Sequence, residues 1–184
     1  EFPETLKNVA DVAEKYGLSV ISECGSEAFW QGFAVQGPPA VDYRWCCKSC
    51  KLSPVRRIIE NTWGEAVSFI GQRKFESAKR MQSPRVWRNK NVLCQLSAAP
   101  IQHWTAMHVW LYLFREGAPY NPLYELGLDR IGCFMCPSSD IACMKEIAAR
   151  YPEMWADWEA KLSAWGDEHG MPAEWTEKSL WRIR

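Results

Sequence analysis

Apolar positions recur at helical spacing from the start of the chain, with Leu6, Val9, Val12, Ala13 and Tyr16 on one face. Pro3 and Glu4 suit the first turn of that helix, and Gly17 its stop. Residues 18–21 are an apolar run that reads as a short buried strand, so the chain starts helix-then-strand, as α/β units do. Residues 26–35 read as a short helix closed by Gly37-Pro38-Pro39. Pro54 starts another helix, with Val55, Ile58, Ile59 and Trp63 inward and Gly64 at its end. Residues 66–70 form a second apolar strand that delivers Gly71-Gln72-Arg73 to its carboxyl end, where α/β folds place ligands. Both runs suit parallel strands covered on both faces. Residues 86–87 and 92–96 predict short strands around polar turns, and residues 104–114 an amphipathic helix. Beyond Cys136 the pattern is helical, at 139–150, 152–169 and 172–182. The spacing of Trp155, Trp158, Leu162 and Trp165 is that of a packing stripe.

Length changes the picture little: 184 residues make one domain, or a large part of a slightly bigger one. A content of 47% hydrophobic and 24% charged residues excludes a disordered chain. No apolar run is long enough to cross a membrane, and residues 1–4 lack the basic and apolar regions of a signal peptide. The expectation is a cytoplasmic protein with no membrane partner. Lys and Arg (22) balance Asp and Glu (22), so bulk charge does not point to DNA. The local balance differs. Between positions 44 and 90 only Glu60, Glu65 and Glu76 oppose a long series of Lys and Arg, whereas acidic residues dominate from Asp140 onward. A basic middle segment is suited to an anionic ligand.

The sharpest chemical signal is the cysteines: Cys24; Cys46, Cys47 and Cys50; Cys94; Cys133 and Cys136; and Cys143. Without a secretory signal they read as thiols for metal or redox chemistry rather than a disulfide scaffold. C-x-x-C pairs stand at 47/50 and 133/136. That spacing lets two thiolates reach one metal from a single turn, and two pairs complete four-coordination by zinc or by an iron–sulfur cluster. Isolated Cys24, Cys94 and Cys143 read as buried core cysteines.

Several segments, in order, are similar to one known family. Cys46-Cys47-Lys48-Ser49-Cys50-Lys51-Leu52-Ser53-Pro54 resembles the tandem-cysteine segment of the phosphoadenosine phosphosulfate (PAPS) and adenosine phosphosulfate (APS) reductases. Gly71-Gln72-Arg73 through Ser77 and Arg80 resembles their G-x-R-x-x-x-S-x-x-R loop. Pro100-Ile101, Trp104 and Val109-Trp110 resemble their P-I-x-x-W…V-W helix, and Asn121-Pro122-Leu123-Tyr124 through Arg130, Cys133, Cys136 and Pro137 their N-P-L-Y…R-x-G-C-x-x-C-P block. Archaeal-type members are the most similar in impression, especially in the tryptophan-rich tail.

The resemblance implies an α/β fold: a partial parallel sheet of the adenine-nucleotide-hydrolase (PP-loop) type in residues 1–137, and a helical extension in 138–184 packed on it. It implies a [4Fe-4S] cluster held by Cys46, Cys47, Cys133 and Cys136, with Cys50 as an alternative ligand and zinc as the alternative metal. Arg73, Ser77 and Arg80 would bind the PAPS or APS anion, and Lys51 and Arg130 would add positive charge where the sulfate leaving group develops. The implied activity is thiol-dependent reduction of activated sulfate to sulfite with a thioredoxin-like reductant. Sulfur transfer to adenylated RNA and a non-catalytic metal-stapled module are the alternatives. Two family features are absent from these residues: the S-G-G-K-D-S nucleotide loop and a C-terminal E-C-G nucleophile. The expectation is therefore a segment completed by an N-terminal portion or by a homo-oligomer partner. Glu23-Cys24-Gly25 has the nucleophile's letters in another place and reads as coincidence. His103 and His108 stand where relatives often carry Asp; each reads as a general acid or a hydrogen-bonding core histidine, with the core reading preferred.

Overall fold

The computed structural model describes residues 1–23 and 25–183. In chain order its helices begin with α1 (Pro3–Tyr16), α2 (Ser26–Gln36) and the short α3 (Trp45–Cys47), which opens into a wide π-type turn (Lys48–Leu52) before α4 (Ser53–Thr62). Strand β1 (Ala66–Phe69), the one-turn α5 (Ala78–Met81), β2 (Val86–Asn89), β3 (Val92–Ala98) and α6 (Ala106–Arg115) follow. The chain ends with α7 (Ile141–Arg150), α8 (Pro152–Glu168), α9 (Ala173–Glu177) and a 3-10 turn (Leu180–Arg182). Among the described residues no helix is long and apolar enough to cross a membrane. These elements form two compact units: unit one is Glu1–Lys7, Gly25–Ser49 and Asn121–Arg184, and unit two is Asn8–Cys24 and Cys50–Tyr120.

Unit one is helical around an aromatic core. Phe33, Trp45, Met144, Trp158, Leu162 and Trp181 are buried together, and Phe29, Trp30, Trp155 and Trp165 pack on them. The tryptophan stripe of α8 thus does what its period predicts. A second cluster gathers Phe2, Leu123, Leu128 and Ile147. Gly32 makes the first core possible: a Cβ there would stand 2.2 Å from the Trp45 ring, so only glycine lets α2 and α3 approach this closely. Asp140 caps α7 by accepting the Cys143 N–H at 2.7 Å. Tyr151 donates its hydroxyl hydrogen to Glu4 at 2.7 Å, tying the start of α8 to that of α1.

Unit two carries a three-stranded sheet in the order β1-β3-β2. Strands β1 and β3 are parallel, with Val67 opposite Leu96. Strand β2 pairs antiparallel to β3, because the short Lys90-Asn91 connection permits only a hairpin. The sheet is mixed rather than all parallel. Helix α4 packs against β3 and buries Ile59.

Three local expectations fail here. Residues 18–21 form no strand: Gly17 takes a left-handed φ of 61°, and Leu18 donates its N–H back to Ala13 to close α1. Beyond Leu18 an open cleft of about 490 Å³ separates Ser19 and Ile21 from β1, so no ladder forms across it. Trp63 lines that cleft and is 59% exposed rather than inward. Strand β1 is not covered on both faces either, since Val67 and Phe69 project into solvent.

Candidate functional site

The basic loop of unit two follows the carboxyl end of β1. Glu76 organises it. One carboxylate oxygen accepts from the Arg73 Nε at 3.2 Å, and the other accepts from the Arg73 backbone N–H at 3.2 Å and from an Arg80 Nη. The side chains of Arg73 and Glu76 retain only 22% and 21% of their exposure, so water screens this pair weakly. Burial alone would push the Glu76 carboxyl up. The Arg73 N–H and the Arg80 and Arg73 guanidiniums outweigh it and hold the carboxyl below its ordinary value. Each guanidinium has five N–H donors and spends one side-chain N–H here, leaving a surplus of positive charge and donors for an anion. Ser77 caps α5 by accepting the Arg80 N–H at 3.2 Å, which fixes where Arg80 leaves the backbone. Arg73, Ser77 and Arg80 are therefore brought together as their spacing implies. The bridging role of Glu76 was missed, although its i,i+3 and i,i+4 relation to the two arginines was readable. Lys51 and Cys50 fall in the same unit, and Arg130 in the other.

All four cysteines of the implied ligand set belong to unit one and are half-buried. Cys46 follows the buried Trp45 and packs on the aromatic core, as does Met135 between Cys133 and Cys136. Arg44, two residues before Cys46, donates to the Ser138 hydroxyl at 3.2 Å, linking the two cysteine segments directly. Among the described residues no group of three or more His, Cys, Asp or Glu side chains is arranged around a single metal ion. The donor chemistry is nonetheless that of soft thiolate ligation, which suits iron–sulfur clusters and zinc alike.

The remaining candidates divide. Cys24 lies outside the described residues. Cys94 stands on β3, half-buried. Burial, followed by Asp140 and Asp129, pushes the Cys143 thiol up, so it stays protonated rather than poised as a thiolate. His103 and His108 are exposed, not core residues. His108 instead completes a capping box at α6: its Nδ1 accepts the Thr105 N–H at 3.1 Å while Thr105 Oγ1 accepts the His108 N–H at 3.3 Å.

Comparison with known proteins gives the family. The family model of the phosphoadenosine phosphosulfate reductase domain matches residues 1–139. Over 183 residues the chain is 47% identical to an uncharacterized protein of Methanocaldococcus jannaschii, covering 99% of this chain and 38% of that one. It is 29% identical over 140 residues to the adenosine 5'-phosphosulfate reductase of Lysinibacillus sphaericus, covering 73% of this chain and 58% of that enzyme. The crystal structure of phosphoadenylyl-sulfate reductase from Candida auris, a phosphate complex, superposes with a TM-score of 0.49 at 23% identity, over 71% of this chain and 63% of that one. The chain thus spans less than two thirds of the length of each of these relatives, from 38% to 63%. With residues 1–139 matched by its model, the chain belongs to the phosphoadenosine phosphosulfate reductase family.

Proposed function

We propose that the chain is the anion-binding and cysteine-bearing part of a cytoplasmic sulfonucleotide reductase acting on PAPS or APS. The observation that carries the reading is the gathering of Arg73 and Arg80 about Glu76, just past the carboxyl end of β1. A sulfonucleotide presents phosphate and sulfate oxygens, which the spare guanidinium N–H groups would bind in charge-assisted pairs. Lys51 and Arg130 would supply further positive charge to the sulfate and its leaving group.

The reaction is group transfer followed by reduction. A cysteine thiolate attacks the sulfate sulfur, an S–S bond forms as the S–O bond to the nucleotide phosphate breaks, and the nucleotide departs with that oxygen and the bonding pair. A thioredoxin-like dithiol then attacks the cysteine sulfur of the resulting thiosulfonate. The dithiol is oxidised to a disulfide, the cysteine is restored, and sulfite leaves. None of the seven described cysteines is assigned the attacking role. The S-G-G-K-D-S nucleotide loop, absent from these residues, would be supplied by an N-terminal portion or by a partner chain. The open edge of β1 suits an added strand from that source or from a second copy.

Cys46, Cys47, Cys133 and Cys136 would hold a [4Fe-4S] cluster, which when bound would tune electrostatics and geometry rather than pass electrons. In this reading residues 1–137 supply the reductase-like part and 138–184 the helical extension supporting it.

Titration with adenosine 3′,5′-bisphosphate tests the anion site. Arg73→Ala should weaken binding by about 1.5–3 kcal/mol, the scale of a charged hydrogen bond, and added salt should weaken the wild type. Unchanged affinity in both Arg73→Ala and Arg80→Ala, with folding intact, would assign these arginines to surface pairing with Glu76.

A further inference from the structure

The C-terminal turn carries a feature that the family match, which ends at residue 139, does not reach. Arg182 is half-buried and has no carboxylate partner among the described residues. Its guanidinium instead donates through Nε to the Pro137 carbonyl at 3.0 Å and through an Nη to the Ser139 carbonyl. Its own carbonyl accepts the Val41 N–H at 2.8 Å. One residue therefore holds the chain just before Cys46-Cys47 and the chain just after Cys136. Arg44 closes the circuit through Ser138, so three successive residues beyond Cys136 each accept from an arginine. The turn that presents Arg182 is itself anchored: Trp181 is 3% exposed and meets Trp158 edge-on at 5.3 Å.

These contacts matter because the two cysteine pairs are far apart in sequence, and ordering both has an entropic cost that packing or hydrogen bonds must offset. Main-chain carbonyls are weak individual partners, yet the planar fork of an arginine can hold two of them in fixed relation where a lysine ammonium cannot. The arginine also brings positive charge to segments whose cysteines carry negative charge once they are thiolates.

We propose that Arg182 is the positioning residue of the cysteine site, framing the 41–47 and 133–139 segments that carry the thiols of the proposed metal centre. The proposal rests on the cysteine-site reading above, and two measurements separate their fates. The first is anaerobic reconstitution of the whole chain with ferrous iron and sulfide, followed by challenge with a chelator. Arg182→Ala should lose iron about tenfold faster than wild type, the scale of a lost supporting contact at a metal ligand. Arg182→Lys should recover little of the difference, because it cannot span both carbonyls. The near-ultraviolet circular dichroism of the tryptophan core should be preserved in the Lys variant, which decides the matter if the Ala variant unfolds.

The second measurement needs no metal. A bifunctional thiol reagent applied to the metal-free chain should join a cysteine of the first segment to one of the second, and peptide mapping should show less of that product in both variants. Wild-type iron retention together with wild-type cross-linking in the Lys variant would overturn the proposal. Wild-type protein that takes up no iron, but whose cross-link depends on Arg182, would sink the cluster reading and leave the positioning role standing.

Discussion

The two units solve the problem of fixing a reactive side chain in opposite ways. In unit one the cysteine segments are held from outside, by an aromatic core in which Trp158, Leu162 and Trp181 are each no more than 3% exposed. In unit two the arginine loop is held from within, by one carboxylate shared between two guanidiniums. In the same unit Val67, Phe69, Leu93 and Phe114 are more than half exposed. The contrast shows which forces each site depends on: dispersion and shape for the cysteines, charge for the arginines. Mutations that alter volume should therefore damage the first unit, and changes of pH or salt the second.

The largest effect should come from volume. Gly32→Ala places a methyl group against the Trp45 ring and should lower stability by about 1–3 kcal/mol, as overpacking of a core does. Gly71→Ala, at the start of the arginine loop, meets no atom within 4 Å and should be close to neutral. Urea unfolding of both variants reads the difference directly. Equal losses would mean that unit one is not the more tightly packed half. Because Trp45 precedes Cys46, the Gly32 variant should also bind metal less well.

A smaller effect should come from charge. The Glu76 carboxyl lies below its ordinary value in the folded protein, so its contribution to stability is present above pH 4.5 and is lost as the pH falls through the lowered value. Glu76→Gln should be less stable than wild type at neutral pH, and the two should converge under acid. A gap that stays constant from pH 7 to pH 3 would show that the carboxylate charge plays no part.

How far the sequence revealed these arrangements follows the range of the interactions involved. Helix α1, the Ser77 cap and the packing stripe of α8 depend on neighbours within a few turns, and period and capping residues announced them. Residues 18–21 misled because an apolar run states a preference for burial without saying whether a partner strand is adjacent. Trp63 misled for a related reason, lying on the same cleft. His103 and His108 were placed in the core by residue type, whereas the local Thr105–His108 spacing held the better clue. Arg182 had no signature at all. Its partners are main-chain carbonyls 43 and 45 residues away, which any residue could supply.

The central proposal, that Cys46, Cys47, Cys133 and Cys136 hold an iron–sulfur cluster, is tested most directly by anaerobic purification of the chain and its Cys47→Ser and Cys50→Ser variants. Wild-type protein should be brown, with iron, acid-labile sulfide and absorbance near ~400 nm, typical of thiolate-bound iron. Cys50→Ser should retain the colour and Cys47→Ser should lose it. Colourless wild-type protein carrying one tightly bound zinc, lost in Cys50→Ser, would contradict the cluster and assign the 47/50 pair to a structural zinc site.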